Sequence, residues 1–98
     1  MNHNIVHQEH HNKGLFEIYI NNKLAGYLKY DVLPNKDLLA NGTFVYEDFR
    51  SFKLGQHLYE ALVQLAQTRG VKINPTCPYI LGKLQKDPNA KTLIADKI

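Results

Sequence analysis

Residues 47–70 read EDFRSFKLGQHLYEALVQLAQTRG: a turn-like opening with one arginine and one glycine, then an amphipathic run, then a closing glycine. Leu54, Leu58, Ala61, Leu62 and Leu65 recur at the spacing of one helical face, whereas Gln56, Glu60, Gln64 and Gln67 fall elsewhere. Gly70, directly after Arg69, supplies the stop expected at a helix C-terminus. This helix divides the chain. The sequence before it alternates with period two, and the sequence after it returns to a short β-branched run.

Upstream, Leu15 to Ile20 places Phe16, Ile18 and Ile20 on one side and Leu15, Glu17 and Tyr19 on the other, as a strand with one buried face does. Asn21, Asn22 and Lys23 form a turn into a second alternating run, Leu24 to Val32, so the pair reads as a hairpin. Ile5 to Glu9 is a shorter strand joined to the first by HHNKG. After Pro34, Asn35 and Lys36, Leu38 to Val45 resumes the alternation. The first half is thus a meander of three or four antiparallel strands. Downstream, VKIN (71–74) is a candidate buried strand ended by Pro75, and Pro78 opens a second helix over Tyr79 to Lys86, stopped by Asp87 and Pro88. A strand, a crossing helix and another strand make a parallel unit that hairpins cannot make. The expected class is α+β with a mixed sheet, an antiparallel meander followed by strand, helix, strand, helix; the tail from Lys91 to Ile98 is weakly patterned.

The chain has 98 residues, 44% of them hydrophobic, which suits one domain over residues 1–98 with a core from about 5 to 90. No apolar stretch is long enough to cross a bilayer, and the N-terminus has no signal-like pattern, so the expected location is cytoplasmic, away from membranes. A single cysteine, Cys77, excludes an internal disulfide. Twelve Lys and Arg against nine Asp and Glu give a charge of +3, but the cations are scattered, which argues against a nucleic-acid partner. His3, His7, His10 and His11 crowd the N-terminus at no zinc-binding spacing, and no metal is expected.

The stretch 47–56 lies where a strand turns into a helix, and the first amides of a helix lack internal partners and carry the positive end of its dipole. A loop that turns those amides inward is an anion site. Gly55 permits close approach, Arg50 adds a planar cation suited to phosphate, and Lys53 adds a mobile one.

EDFRSFKLGQHL resembles the pyrophosphate loop of the GNAT acetyltransferase superfamily, whose pattern is Gln or Arg, two residues, Gly, one residue, Gly or Ala. Arg50 and Gly55 match its outer positions, and Lys53 stands where the first glycine is expected. RGVKINPTCPY (69–79), AGYLKY (25–30) and Thr43, Phe44 and Val45 before the loop make the likeness one to the small GNAT-like proteins called Acetyltransf_CG, from about Ile5 to Pro88. Gly42 replaces a histidine usual before that threonine, and Asp87 and Pro88 replace a His-Pro pair.

The resemblance implies an N-acetyltransferase with acetyl-CoA as cosubstrate, no metal, and an unknown amine or lysine-bearing acceptor. It implies that Thr43, Phe44 and Val45 offer backbone to the pantetheine, and that the amides of Arg50, Ser51, Phe52, Lys53, Leu54, Gly55 and Gln56 hold the pyrophosphate. Direct attack by an amine needs an oxyanion donor, a base and an acid for the leaving thiolate. Tyr79 is the candidate acid, and Glu47 is either a base or ordinary surface. Cys77, before a predicted helix, is either a reactive thiol at the site or a small packing residue. Lys53 either spoils a loop that needs a positive φ or substitutes its ammonium for a lost amide contact. The alternative is a noncatalytic acyl-CoA-binding or interaction module on the same frame.

Overall fold

A computed structural model describes residues 3–95. Four strands, β1 (His3–His10), β2 (Lys13–Ile20), β3 (Lys23–Val32) and β4 (Leu38–Val45), form an antiparallel meander. A 3₁₀ turn over Glu47–Phe52 leads into α1 (Leu54–Arg69), then β5 (Ile73–Pro75), α2 (Pro78–Lys86) and a second 3₁₀ turn at Lys91–Leu93. The sheet order is β1-β2-β3-β4-β5, with β5 parallel to β4. The α+β mixed sheet expected from the periodicities is the observed fold.

Two hairpin loops of two residues set the register. Asn21 and Asn22 have φ of 48° and 69°, and His11 and Asn12 have 51° and 64°, the left-handed pairs whose twist matches that of the flanking strands. The histidine-rich N-terminus is therefore a full strand, longer than Ile5 to Glu9. It is also tied down: the buried Tyr30 hydroxyl donates to Glu9 Oε1 at 2.6 Å, and Glu9 accepts from Arg69 Nη2 at 3.0 Å. Since the phenol has one proton to give, His7 Nε2 at 2.6 Å must be the donor to Tyr30 Oη. His7 also stacks on Phe16, and burial lowers its pKa.

Phe16, Ile18 and Ile20 of β2, Leu28 and Tyr30 of β3, and Leu38 and Ala40 of β4 form one apolar face. Leu54, Leu58, Tyr59, Leu62 and Ala66 of α1 close over it. Each of the larger aliphatic and phenylalanine side chains among them contributes about 1.5–3 kcal/mol on leaving water. The buried stripe is rotated from the expected one: Ala61 and Leu65 are half-buried, and Tyr59 and Ala66 take the centre. Tyr59 fits there because its hydroxyl donates to Asp87 Oδ2 at 2.9 Å, satisfying the one polar atom it brings inside. Ile80 and Leu84 of α2 and Ile73 of β5 join the same core.

β5 begins two residues later than VKIN suggests, and Pro75 is its last residue rather than its stop. The tail has more structure than its pattern indicates: Ile94 bridges Ile73 in parallel fashion, and the Ala95 amide donates to Ile73 O at 2.8 Å. Residues 96–98 lie outside the described residues.

Candidate functional site

A bulge decides the shape of β4. Tyr30 pairs with Ala40 and Lys29 with Gly42, which leaves Asn41 as an extra residue. Because strand side chains alternate, one inserted residue reverses the faces of everything beyond it. Ala40 points into the core, yet Thr43, opposite the buried Leu28, and Val45, opposite Gly26, also turn to that side. An unbroken alternation over Leu38–Val45 would have put Gly42 and Phe44 there instead. The Asn41–Gly42 pair is the only trace of the bulge in the sequence, glycine inside a strand being a common mark of one.

β5 accompanies β4 only from Leu38 to Ala40. Ala40 O then accepts from the amides of Thr76 and Cys77, both at 3.1 Å, and from Thr76 Oγ1 at 3.0 Å. That convergence turns the chain out of the sheet. β4 runs on to Val45 without β5, and the two diverge into a groove of about 300 Å³ lined by Thr43, Phe44, Val45, Arg50, Gly55 and Tyr79. Six residues marked by the sequence thus line one opening.

Each wall has a local cause. Arg50 leaves the 3₁₀ turn and donates Nε to Val45 O at 3.0 Å, with its guanidinium carbon 5.7 Å from the centre of the Phe44 ring. Its two Nη groups carry the remaining donors. Lys53, between the 3₁₀ turn and α1, has φ 58° and ψ 36°. A non-glycine residue therefore holds the left-handed conformation, at about 1–2 kcal/mol of backbone strain. A right-handed turn followed by a left-handed residue aims successive amides to one side, the arrangement of an anion nest. The amide of Gln56 is already engaged, donating to Lys53 O at 3.2 Å, and its side chain reaches Glu60.

Gly55 has a second reason to be glycine besides ligand approach. A Cβ there would lie 2.7 Å from Tyr79 Oη and 3.0 Å from its Cζ. The first turn of α1 and the first turn of α2 meet at this contact. Burial raises the Tyr79 pKa above that of a free phenol, with a smaller contribution from neighbouring Cys77, so the hydroxyl holds its proton at neutral pH. Cys77 caps α2, is half-buried, and lies with Sγ 3.7 Å from Thr43 Oγ1. Ser51 and Phe52 are exposed on the 3₁₀ turn, and Leu54 is fully buried. Glu47, at the start of that turn, is exposed and does not line the groove. His57 turns away as well, stacking on His3 of β1 with ring centres 4.2 Å apart.

On the sheet face away from α1, a wider depression of about 620 Å³ shares Thr43 and Phe44 with the groove and is also lined by Lys29, Asp31, Asn41 and Gly42. A side chain at Gly42 would meet nothing within 4 Å. Among the described residues no helix is long and apolar enough to cross a membrane, and no three His, Cys, Asp or Glu side chains gather as metal ligands.

The profile of the family described as GCN5-related N-acetyl-transferase matches residues 15–93. No curated protein matches the sequence. A GCN5-like protein from Staphylococcus aureus, solved by NMR, superposes with a TM-score of 0.69 at 20% identity, covering 95% of this chain and 90% of that one. A ribosomal-protein-alanine N-acetyltransferase from Brucella melitensis biovar Abortus 2308 gives 0.66 at 16% identity, over 91% of this chain and 66% of its own. AAC(6')-Iy, solved with the bisubstrate analog CoA-S-monomethyl-acetylneamine, gives 0.58 at 13% identity, over 90% and 65%. At these identities the structural likeness is one of fold.

Proposed function

This chain belongs to the GCN5-related N-acetyltransferase family, and from that premise we propose that it binds acetyl-CoA and transfers the acetyl group to an amine. The observation that carries the proposal is the parting of β4 from β5 beyond Ala40, which leaves a strand edge leading straight to the amides at the start of α1. An edge without a strand partner accepts an extended, amide-bearing chain, and a nest at a helix start accepts phosphate. The pantetheine and pyrophosphate of CoA have those two chemistries in that order. The complex of AAC(6')-Iy with a CoA-containing analog supports the same use of the fold.

Acetyl-CoA would supply the acetyl group as a thioester. In this reading the β4 edge from Thr43 to Val45 pairs with the pantetheine amides. The amides of the turn up to Gly55 take the pyrophosphate, with Ser51, Phe52 and Leu54 contributing backbone only. Arg50, braced by Val45 O and Phe44, turns its Nη groups to the same phosphates. Tyr79, protonated at neutral pH and exposed on the groove, is placed to return a proton to the leaving thiolate. Cys77 lies behind Thr43, outside the lining of the groove, where its thiol serves packing or, reached past Thr43, takes up acyl transfer. The groove is lined by no carboxylate or imidazole. This favours a second reading, in which the chain binds acyl-CoA without turning it over.

Titration of acetyl-CoA into isotopically labelled protein tests the first step. Amide shifts concentrated at Val45 and from Arg50 to Gly55 are expected, and amides unmoved at millimolar ligand would refute both readings. A panel of amines then separates them, since only the transferase reading gives CoA release.

A further inference from the structure

The groove does not end at Tyr79. On its far side a second depression, of about 300 Å³, is lined by Pro78, Tyr79, Gly82, Lys83 and Lys86, so one aromatic ring forms a wall of both. Positions 79, 83 and 86 follow helical spacing and share the exposed face of α2, opposite the buried Ile80 and Leu84. Gly82 keeps this face open, since a side chain there would meet nothing within 4 Å. Lys83 Nζ stands 5.6 Å from the centre of the Tyr79 ring. At 1.5 Å per residue, Lys83 and Lys86 lie about 6 and 10 Å along the helix from Tyr79.

We propose that this depression is a phosphomonoester subsite, in which Lys83 and Lys86 take the 3′-phosphate of the adenosine arm of acetyl-CoA. The inference rests on the cofactor reading above, and it assigns the arm that the β4 edge and the α1 amides leave unaccounted for. The occupant follows from continuity and charge. Gly55 and Tyr79 are in contact, so a nucleotide leaving a pyrophosphate held at α1 meets the Tyr79 ring first and two cations next. The residues lining the depression include no acidic side chain. Lysine provides a mobile point charge suited to a terminal phosphate rather than to a planar carboxylate.

Calorimetric titration of acetyl-CoA and of its 3′-dephospho analog tests the subsite. Wild-type protein should prefer the phosphorylated form by about three- to thirtyfold, the span of two exposed charge-assisted contacts. Lys83→Gln/Lys86→Gln should bind both forms equally, and glutamine keeps the helix propensity of lysine. Lys13→Gln/Lys23→Gln, which removes the same charge from the two opposite ends of the β2–β3 hairpin, should retain the preference. Equal binding of both forms by wild type, or a preference that survives in the Lys83/Lys86 variant, would overturn the subsite while leaving the cofactor reading intact. Failure of acetyl-CoA to bind wild-type protein at all would remove the cofactor reading and the subsite together.

Discussion

Replacing Gly55 by alanine should separate stability from binding. The added methyl would sit 2.7 Å from Tyr79 Oη, 3.0 Å from Cζ and 3.3 Å from Cε2, so the hydroxyl must retreat by about 0.7 Å to reach the 3.4 Å of ordinary contact. Tyr79 is 41% exposed and has solvent to move into. Alanine in a helix gains up to about 1 kcal/mol over glycine. A tyrosine pushed off its rotamer costs on the order of 0.5–1.5 kcal/mol. The two nearly cancel, and at about 4–8 °C per kcal/mol for a domain of this size the melting temperature should move by no more than about 5 °C. The groove, however, loses the placement of its phenolic hydroxyl. A displacement approaching 1 Å at a reacting group costs up to about 100-fold in rate. Thermal melting, the Tyr79 ring resonances and acetyl-CoA affinity together give the answer. Tyr79→Ala removes the clash at its source, so Gly55→Ala added to it should show only the helix-propensity gain, a small rise in melting temperature. Unshifted ring resonances with unchanged affinity in the single variant, or strictly additive effects in the double one, would refute a glycine kept for Tyr79.

Arg50→Ala should weaken acetyl-CoA binding by about 1.5–3 kcal/mol, the worth of a hydrogen bond to a charged group; unchanged affinity by calorimetry would take Arg50 out of the site. Lys53→Gly relieves the left-handed strain of about 1–2 kcal/mol and gives back about 0.4–1 kcal/mol through a looser unfolded chain, so the melting temperature should rise by a few degrees; a fall would mean that the ammonium of Lys53 holds the turn. Tyr30 and Tyr59 have pKa values raised by burial and by their carboxylate partners Glu9 and Asp87. A pKa higher in the folded state than in the unfolded one means stability present at neutral pH and lost as pH climbs past about 10. Tyr59→Phe should flatten that alkaline decline in a series of melts, and an unchanged slope would assign it elsewhere.

The elements were legible because their signals are local. The 3.6-residue recurrence of Leu54, Leu58 and Leu62, the two Asn residues at 21–22 and the proline at 78 each act within a few residues of themselves. What escaped was set by partners distant in sequence. The bulge at Asn41 exists only relative to β3, so period-two reading could not see that it turns Thr43 toward Cys77. Tyr59 reads as a polar interruption of the leucine stripe until Asp87, 28 residues on, receives its hydroxyl. The Lys53 backbone follows from the geometry of a strand meeting a helix, and composition says nothing of it. Arg50 and Gly55 were found through likeness to a known loop; the reason Gly55 excludes a side chain, the ring of Tyr79, required the fold.

The way β5 returns to β4 bears on how the groove comes into being during folding. The meander from β1 to β4 is stitched by neighbours in sequence, two of its loops only two residues long, and such local pairings form early because little loop entropy is lost. β5 reaches β4 only after α1 has crossed the sheet, and then along three residues. The groove lies on the seam between these two parts, with Thr43 to Val45 on one bank and Tyr79 on the other. It is therefore assembled last, and opening of that short parallel pairing dismantles it first, before the meander is disturbed. A ligand spanning the seam would act as a staple, contributing about 2.7 kcal/mol at a hundred times its dissociation constant, and hydrogen exchange at the Ile73 and Asn74 amides would register it earliest.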